Sequence, residues 1–246
     1  MLDYDKEARL YDASRGGEQR AEAAADAVLD LIPDRPCRLL DLACGTGIVT
    51  RRLAAARPAT RVTGADLAAG MIHRAAARLP GAIVRADSRR LPFPGATFDA
   101  VTSIWLLHLL TGPDDLDAVL AECARVLRPG GVYVTTVDKA AAHDVGSDIE
   151  AVLADRPIRP AADAADLVTA RAARHGLALA GRSAFPGVGQ GRSPRSTIAD
   201  LHRGWFSMLP PGDPRRETYA ARLAALPDQD RPRGDPTFTL RAFRKH

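Results

Sequence analysis

The segment from Leu39 to Gly47 constrains the fold of this 246-residue chain more than any other stretch of its sequence. It has the pattern of a short apolar strand with Asp41 near its end, followed by a glycine turn and a helix that begins near Ile48. Glycines in such a turn let the backbone approach a ligand closely, and the following helix points unpaired N–H groups at that ligand. The segment therefore predicts a βα unit with a ligand site at the carboxyl end of its strand.

Strand and helix patterns alternate along the chain from about residue 18, which predicts an α/β fold with a doubly wound, mostly parallel sheet and helices on both faces. Strands are predicted at residues 38–42, 61–66, 82–87, 98–104, 132–137, 177–185 and 237–243. Helices are predicted at 18–31, from 48 to near 58, and at 68–79, 114–128, 161–175 and 215–226. The segment Pro129–Gly131 is expected to close the fourth of these helices.

Residues 187–234 are predicted to form a helical lid inserted between the last two strands of a single domain that covers residues 1–246. Within this insertion Ile198, Leu201, Trp205 and Leu209 keep helical spacing, which predicts one helix through all four positions. A loosely packed surface excursion is the alternative for this segment.

The composition limits the classes of partner and the compartment. The net charge is +4, from 34 basic and 30 acidic residues, which is too small to indicate nucleic acid or membrane binding by itself. Nearly all the basic residues are Arg, and Lys stands only at positions 6, 139 and 245. The 3 cysteines lack metal-ligand spacing and no apolar signal segment or membrane span is evident, so a cytoplasmic location is expected.

Three consecutive predicted strands end in an acidic residue, namely Asp41, Asp66 and Asp87. In an open α/β sheet these ends meet in one ligand crevice. Asp41 beside the glycines fits the ammonium of an amino acid, Asp66 fits both hydroxyls of a ribose, and Asp87 with Ser88 fits an adenine ring. S-Adenosylmethionine, with an amino acid at one end and a nucleoside at the other, carries all three groups. Each acid taken singly can instead be a loop cap.

Five pieces of sequence in this order resemble the class I S-adenosylmethionine-dependent methyltransferases over roughly residues 8–138. They are Asp41–Gly47, Gly64–Leu67, Arg85–Ser88 with Leu91–Phe93, Phe98–Val101, and Val126–Gly131. The resemblance implies a Rossmann-like, seven-stranded sheet with a final antiparallel pair, S-adenosylmethionine as cofactor and S-adenosylhomocysteine as product. The start, Tyr11–Gly17, is similar to members that methylate small molecules and lipids, in which a tyrosine and a nearby basic residue close over the cofactor's carboxylate. That likeness assigns Tyr11 and Arg15 to the cofactor site.

The sequence thus predicts one set of cofactor-binding residues from the strand ends, the glycine turn, the helix after the second strand and the N-terminal segment. Met71 is expected to cover one face of the adenine, with plain core packing as the alternative. The predicted residues are Tyr11, Arg15, Asp41, Ala43, Gly45, Thr46, Gly47, Asp66, Leu67, Met71, Asp87, Ser88 and Ile104.

His108 is the predicted catalytic base, four residues past the end of the fourth strand. Its imidazole titrates near neutrality, as a base for a hydroxyl or ammonium acceptor requires. The helical spacing of Trp105, His108 and Leu109 leaves a packed histidine, or a contact to cofactor or substrate, as alternatives. Trp205 and Phe206 on the insertion can form an aromatic wall for a hydrophobic acceptor, or simply pack the insertion onto the core.

The expected function is methyl transfer to a small-molecule acceptor at an O, N or C atom. The sequence is compatible with either a monomer or a homodimer. Three alternative functions are weighed against methyl transfer to a small molecule. A dinucleotide site fits poorly because Thr50 stands where the fingerprint needs a third glycine. A nucleic-acid methyltransferase would use a basic track of arginines, yet Ser103–Leu106 lacks the Asn/Asp-Pro-Pro-aromatic element of amino-directed base methyltransferases. The arginines of that track would be Arg51, Arg52, Arg89, Arg90, Arg192, Arg195, Arg215, Arg216, Arg231 and Arg233. A non-catalytic S-adenosylmethionine-binding protein is the third alternative. No acidic cluster follows the fourth strand, so no metal is expected. Specialised bacterial metabolism is the expected setting.

Overall fold

A seven-stranded sheet forms the centre of the chain in a computed structural model that describes residues 4–158, 160–206 and 208–246. The strands are β1 (Arg38–Leu42), β2 (Arg61–Asp66), β3 (Ile83–Arg85), β4 (Phe98–Ser103), β5 (Leu127–Val137), β6 (Leu177–Pro186) and β7 (Thr237–Lys245). They are arranged in the order β3-β2-β1-β4-β5-β7-β6, with β7 antiparallel to both β5 and β6 and the other pairs parallel. The predicted α/β class and mostly parallel sheet are confirmed.

Helices cover both faces of this sheet. They are α1 (Tyr4–Glu7), α2 (Tyr11–Ser14), α3 (Gly17–Leu29), α4 (Ile48–Ala56), α5 (Ala69–Arg78), α6 (Pro113–Val126), α7 (Lys139–Ala142), α8 (Asp148–Val152), α9 (Ala165–Arg174), α10 (Pro194–Arg203) and α11 (Arg215–Ala224). A 3₁₀ turn, Leu107–Leu109, follows β4. The sequence did not predict the short helices α1, α2, α7 and α8.

The central strands are apolar because both of their faces are buried. On β1, Leu39 packs into a cluster with α3 and α4, and its neighbour Leu40 packs into a second cluster with α6 and α9. Successive side chains of a strand point to opposite faces, so one strand supplies both layers of the core. The sheet is therefore held rigid from both sides, which fixes the carboxyl ends of β1, β2 and β4 relative to one another.

The end of α6 differs from the prediction. The helix ends at Val126, and the segment Pro129–Gly131 lies within the range of β5 instead of closing the helix. The β4–β5 pairing is irregular there, since Phe98 pairs with Leu127 and Ala100 pairs with Val132. A register break of this kind absorbs residues that cannot join the ladder, which a periodicity argument does not detect.

The segment between β6 and β7 carries α10 and α11, and its side chains build a small apolar core of their own with α8. Its buried residues are Ile149, Leu153, Leu201, Leu209, Tyr219 and Leu223. The prediction of one helix through Leu209 was wrong. α10 begins after the capping residue Ser193 and ends at Arg203, because Gly204 has a φ of 84° that terminates the helix. Trp205 and Leu209 follow that helix end.

Within the described ranges, none of the helices has the length and apolar character needed to cross a bilayer. Cys37, Cys44 and Cys123 are all buried free thiols.

Candidate functional site: two neighbouring cavities

A cavity of about 580 Å³ opens at the carboxyl ends of β1, β2, β3 and β4. We call it the first cavity. Most of the residues predicted to bind the cofactor line it: Tyr11, Asp41, Ala43, Gly45, Thr46, Asp66, Leu67, Met71, Asp87, Ser88 and Ile104. Gly47, Arg15 and His108 are not among its lining residues. The structure thus brings together the three strand-end acids, the glycine turn and the N-terminal segment in one space.

The glycine turn between β1 and α4 needs glycine for two different reasons. Gly45 has a φ of 56°, and no atom lies within 4 Å of the place where its Cβ would be, so the backbone there is open to the first cavity. Gly47 has a φ of 76°, and a Cβ on it would come within 3.0 Å of Ala75. Gly47 therefore serves the turn and the close approach of α4 to α5, behind the wall of the cavity.

Asp41 is 2% exposed at the floor of the first cavity. Its two carboxylate oxygens accept hydrogen bonds from Thr50 Oγ1 at 2.6 Å and Thr102 Oγ1 at 2.8 Å. Burial raises the pKa of Asp41 to about 6, and the nearby Asp66 acts in the same direction. The hydrogen-bond partners of this carboxylate are neutral hydroxyls, so a bound cation would stabilise its ionised form.

Asp66 is anchored by the backbone of the turns on either side of it. Its Oδ2 accepts from Gly45 N at 2.8 Å and its Oδ1 accepts from Ala68 N at 2.9 Å. Burial raises the pKa of Asp66 despite these two bonds. The side chain therefore ties the glycine turn of β1 to the end of β2, and each of its oxygens keeps a lone pair for a ligand hydroxyl.

Asp87 is already paired at the rim of the cavity. Arg89 donates to both of its oxygens and also bridges to Asp115, and this arginine lowers the pKa of Asp87. Ser88 lies beside this pair in the cavity lining. The predicted contact of Asp87 with an amino group thus competes with an ion pair on a partly exposed surface.

The N-terminal helices cover the first cavity, and a network of hydrogen bonds fixes them to the residues around it. Asp12 accepts from Thr46 Oγ1 at 2.6 Å and from Arg78 Nη2 at 2.6 Å, while Arg78 Nη1 donates to Thr46 O at 2.7 Å. Asp5 accepts from Gly70 N at 2.6 Å. α1 and α2 are therefore clamped to the glycine turn and to α5, which encloses the space beneath them.

Arg20 is a lining residue that sequence reasoning missed. It lies on α3, is 2% exposed, and its guanidinium carbon stands 4.3 Å from the ring centroid of Trp105. Its Nε is buried without a hydrogen-bond partner among the described residues. Trp105 itself has a φ of 63°, a strained conformation for a bulky residue that is often found at functional sites. The arginine offers an unused donor to the first cavity.

A second cavity, of about 250 Å³, lies next to the first. The 3₁₀ turn separates the two, since Leu109 lines the first cavity and His108 lines the second. Arg15 also lines the second cavity, where its guanidinium carbon stands 3.6 Å from the ring centroid of Trp205. Of the predicted site residues, Arg15 and His108 are therefore separated from the other lining residues.

His108 has a partner that the sequence analysis did not identify. Its Nε2 lies 3.1 Å from Nζ of Lys139, and its Nδ1 is buried with no hydrogen-bond partner among the described residues. Burial, followed by Lys139 and His143, lowers the pKa of His108 well below its usual range. Burial and the nearby Arg15 and Arg192 lower the pKa of Lys139 to about 7. Near pH 7 Lys139 is therefore the member of the pair that titrates, and His108 stays neutral there, which corrects the prediction that its imidazole titrates near neutrality.

One sequence signal points to Lys139. It is one of the lysines at positions 6, 139 and 245 in a chain that otherwise uses Arg, and it lies two residues past the end of β5. An amine can lose its proton where a guanidinium cannot, so lysine at a strand end in an arginine-rich chain indicates a titrating group. Among the residues that the structure describes, no group of three or more His, Cys, Asp or Glu side chains has the arrangement to hold a metal ion.

A family model described as a methyltransferase domain matches residues 40–135 of this chain. A curated relative, the ubiquinone/menaquinone biosynthesis C-methyltransferase UbiE of Desulfotalea psychrophila, is 40% identical over 97 residues, which is 38% of each chain. The chain spans between 30% and 54% of the length of the first curated relatives that it matches.

Two solved structures share the fold over nearly the whole chain. One chain of the complex between the Haloferax volcanii Trm112 methyltransferase activator and a methyltransferase gives a TM-score of 0.64 at 18% identity. The match covers 100% of this chain and 99% of that chain. The [4+2]-cyclase SpnF gives 0.63 at 21% identity, covering 98% and 93%. Both likenesses show the fold.

Proposed function

We propose that this chain, which belongs to the class I S-adenosylmethionine-dependent methyltransferases, transfers the methyl group of S-adenosylmethionine to a small-molecule acceptor. The observation that carries the proposal is the acidic first cavity, where Asp41, Asp66 and Asp87 stand around an open glycine turn. S-Adenosylmethionine has both a sulfonium and an ammonium, so a cavity lined by carboxylates suits it.

The residues of the first cavity fit each part of this cofactor. Asp41 has an uncompensated buried carboxylate for the ammonium, and Asp66 has free lone pairs for the ribose hydroxyls. Arg20 has a buried donor without a partner, so we assign it to the cofactor's carboxylate in place of the predicted Arg15. A bidentate guanidinium–carboxylate contact is the strongest hydrogen-bonded pair open to these groups.

S-Adenosylmethionine supplies an electrophilic methyl group and leaves as S-adenosylhomocysteine. The protein's task is to orient the acceptor and to exclude water, and orientation alone contributes up to about 7–11 kcal/mol in favourable cases. The clamped helices α1 and α2 exclude water from the first cavity. The 3₁₀ turn carries lining residues of both cavities, Leu109 of the first and His108 of the second, so an acceptor in the second cavity lies beside the contents of the first.

His108 is the proposed acceptor of the proton that a hydroxyl or amine nucleophile releases. When Lys139 is charged, it donates to His108 Nε2 and occupies that lone pair. When Lys139 loses its proton, near pH 7, one of the charges that lower the pKa of His108 disappears, and His108 becomes the stronger base. Lys139 is thus a positioning residue that sets when His108 can act as a base.

Ion pairs within the chain weaken the case for the nucleic-acid alternative. Most arginines of the predicted basic track are occupied by neighbouring carboxylates: Arg51 and Arg52 by Glu18, Arg89 by Asp87 and Asp115, Arg195 by Asp230, Arg215 by Asp213, Arg231 by Asp228 and Arg233 by Asp148. Neutralised arginines contribute little to phosphate binding. For the setting, buried free thiols are consistent with a reducing, cytoplasmic compartment.

Calorimetric titration tests the proposal directly. The protein is expected to bind S-adenosylmethionine and S-adenosylhomocysteine, and to form S-adenosylhomocysteine with at least one small-molecule acceptor. NADH serves as the control ligand, because a dinucleotide would fill the same crevice in a different class of enzyme. Binding of NADH with no affinity for either sulfur compound would refute the assignment. Tight cofactor binding without turnover on a broad acceptor panel would favour the non-catalytic alternative.

A further inference from the structure

The second cavity carries more positive than negative charge. Four basic side chains line it among the described residues: Arg15, Lys139, Arg156 and Arg192. Among the described residues that line this space, two are carboxylates, Asp163 and Asp200, and burial raises the pKa of both. Asp163 is also engaged, since its Oδ2 accepts from the backbone N of Lys139 at 2.9 Å. The acids therefore do not balance the cations.

Two of these cations act on the pKa of the Asp200 carboxylate from a distance, without forming a close ion pair with it. Arg15 and Arg192 make no hydrogen bond or ion pair through their guanidinium groups with the residues that the structure describes. Each instead lies near an aromatic ring, Arg15 at 3.6 Å from the centroid of Trp205 and Arg192 at 5.6 Å from that of Phe206. Elsewhere on the surface the arginines pair with carboxylates, for example Arg233 with Asp148 at 2.7 Å.

A guanidinium that lies over a ring keeps its in-plane N–H groups available. The flat face is used by the aromatic contact, while the edge can donate two parallel hydrogen bonds to a planar or tetrahedral anion. Burial lowers the pKa of Arg192, and Arg15 adds to the effect. Desolvated cations without partners are costly, and a bound anion removes that cost. The charge of the cavity is therefore complementary to an anionic ligand.

We infer that the second cavity binds the anionic group of the methyl acceptor, a carboxylate or a phosphate, between the guanidinium groups of Arg15 and Arg192. Identifying this ligand as the methyl acceptor rests on the proposed function, whereas the binding of an anion in the second cavity does not. Trp205 and Phe206 provide an apolar wall for the remainder of the molecule, and His108 with Lys139 faces the same space. The acceptor class is thus a small aromatic or aliphatic acid or phosphate ester.

The test uses three probes that share a phenyl ring and differ in the charge of its substituent: benzoate, phenyl phosphate and the neutral benzamide. The intact protein is first saturated with S-adenosylhomocysteine, so that the first cavity is occupied, and each probe is titrated by calorimetry at low salt. At least one anion is expected to bind at least about tenfold more tightly than benzamide. Preference for benzoate assigns a carboxylate acceptor, and preference for phenyl phosphate assigns a phosphate ester. Equal binding of all three probes, or binding of none, would overturn the inference.

Variants locate the effect. Arg15→Gln and Arg192→Gln are each expected to weaken binding of the preferred anion by at least about fivefold and to leave benzamide unaffected, as loss of one charge-assisted contact implies. Arg192→Lys should retain part of the affinity. Arg231→Gln, on an exposed side chain paired with Asp228, is the matched control and should change nothing. Unchanged anion affinity in both cavity variants, with native melting temperatures, would also overturn the inference.

The same titrations separate this inference from the proposed function. Failure to bind S-adenosylhomocysteine in the first step refutes the cofactor site, whatever the anions do. Normal S-adenosylhomocysteine binding without charge selectivity refutes only the anion site. If Arg15→Gln weakens S-adenosylhomocysteine but not the anion, Arg15 belongs to the cofactor and the assignment to the acceptor is wrong.

Discussion

The two cavities have opposite charge although a single 3₁₀ turn separates them. Among the described lining residues, carboxylates outnumber arginines in the first cavity, where Asp41 and Asp66 are buried, and basic residues outnumber carboxylates in the second, where Arg15 and Arg192 form no close ion pair. Opposite fields at neighbouring sites sort ligands by charge before any shape is tested. The difference supports the proposal that cofactor and acceptor are directed to separate places by their charges.

The two cavities also differ in how the chain builds them. The first is made at the ends of adjacent parallel strands, so its residues come from short segments of sequence that the sheet must bring together. The second is made where the N-terminal helices, the turn after β4, α7 and the helical insertion meet. Its residues come from segments as distant as Arg15 and Arg192.

The largest expected effect concerns turnover and asks whether proton transfer belongs to the second cavity. His108→Ala is expected to lower kcat by about 100-fold, the lower end of what general base catalysis contributes. S-Adenosylmethionine affinity should be unchanged, because His108 does not line the first cavity. In the native enzyme kcat/KM should rise as pH passes through about 7, where Lys139 loses its proton, and Lys139→Met should abolish that rise. S-Adenosylhomocysteine formation with an active acceptor gives both quantities.

His202→Ala is the control for this experiment, since His202 is an exposed histidine near Glu217. A fully active His108→Ala enzyme would reduce His108 to a packing role. A loss of cofactor affinity equal to the loss of kcat would place His108 functionally with the first cavity and break the comparison.

The next effect, on stability, tests whether the second cavity is strained by its own charge. Lys139 has its folded-state pKa lowered from 10.5 to about 7, so the folded protein binds fewer protons than the unfolded chain between these values. The destabilisation is greatest below pH 7 and disappears as pH rises toward 10.5. Lys139→Met should therefore raise the free energy of unfolding by about 2 kcal/mol at pH 7, after discounting for residual hydration of a half-buried side chain.

Urea unfolding at pH 7 and pH 9 measures this effect, and the gain should be smaller at pH 9. Lys245→Met is the matched control, because the Lys245 ammonium donates a 2.8 Å hydrogen bond to Leu127 O. That variant should lose stability or stay level. A gain for Lys139→Met that is identical at both pH values would mean improved packing and not relief of charge.

A comparable change on the other side, Asp66→Ala, tests the first cavity. Loss of a charge-assisted hydrogen bond costs roughly 1.5–3 kcal/mol, so S-adenosylmethionine affinity should fall at least about tenfold. Calorimetry measures the affinity, and anion binding in the second cavity should be retained. Asp235→Ala, which removes another carboxylate that accepts from glycine N–H groups, is the control, because Asp235 does not line the first cavity. Native cofactor affinity in Asp66→Ala would remove this carboxylate from the site.

The sequence was sufficient for the sheet and for most of the first cavity, because a strand-end acid such as Asp41 and the turn at Gly45 leave a local pattern. It was insufficient where position depends on packing. Arg15 and Arg20 lie on consecutive helical segments, and only the folded structure shows that Arg20 faces the first cavity and Arg15 the second. The end of α10 at Gly204 was also missed, because the apolar spacing continues past the glycine.

The smallest expected effect concerns α2, the element that both cavities share. α2 supplies Tyr11 to the first cavity, Arg15 of the second follows directly after its end, and the contacts of Arg78 with Asp12 and Thr46 hold it in place. Arg78→Met should loosen this clamp and weaken both S-adenosylmethionine and the preferred anion by about fivefold, near 1 kcal/mol each. Calorimetry with each ligand alone is the measurement, and Arg215→Met, at an exposed pair with Asp213, is the control. Loss of cofactor affinity without loss of anion affinity would show that the two cavities are held independently. Equal losses would mean that closing the N-terminal helices organises both, so that binding of the cofactor prepares the site of opposite charge beside it.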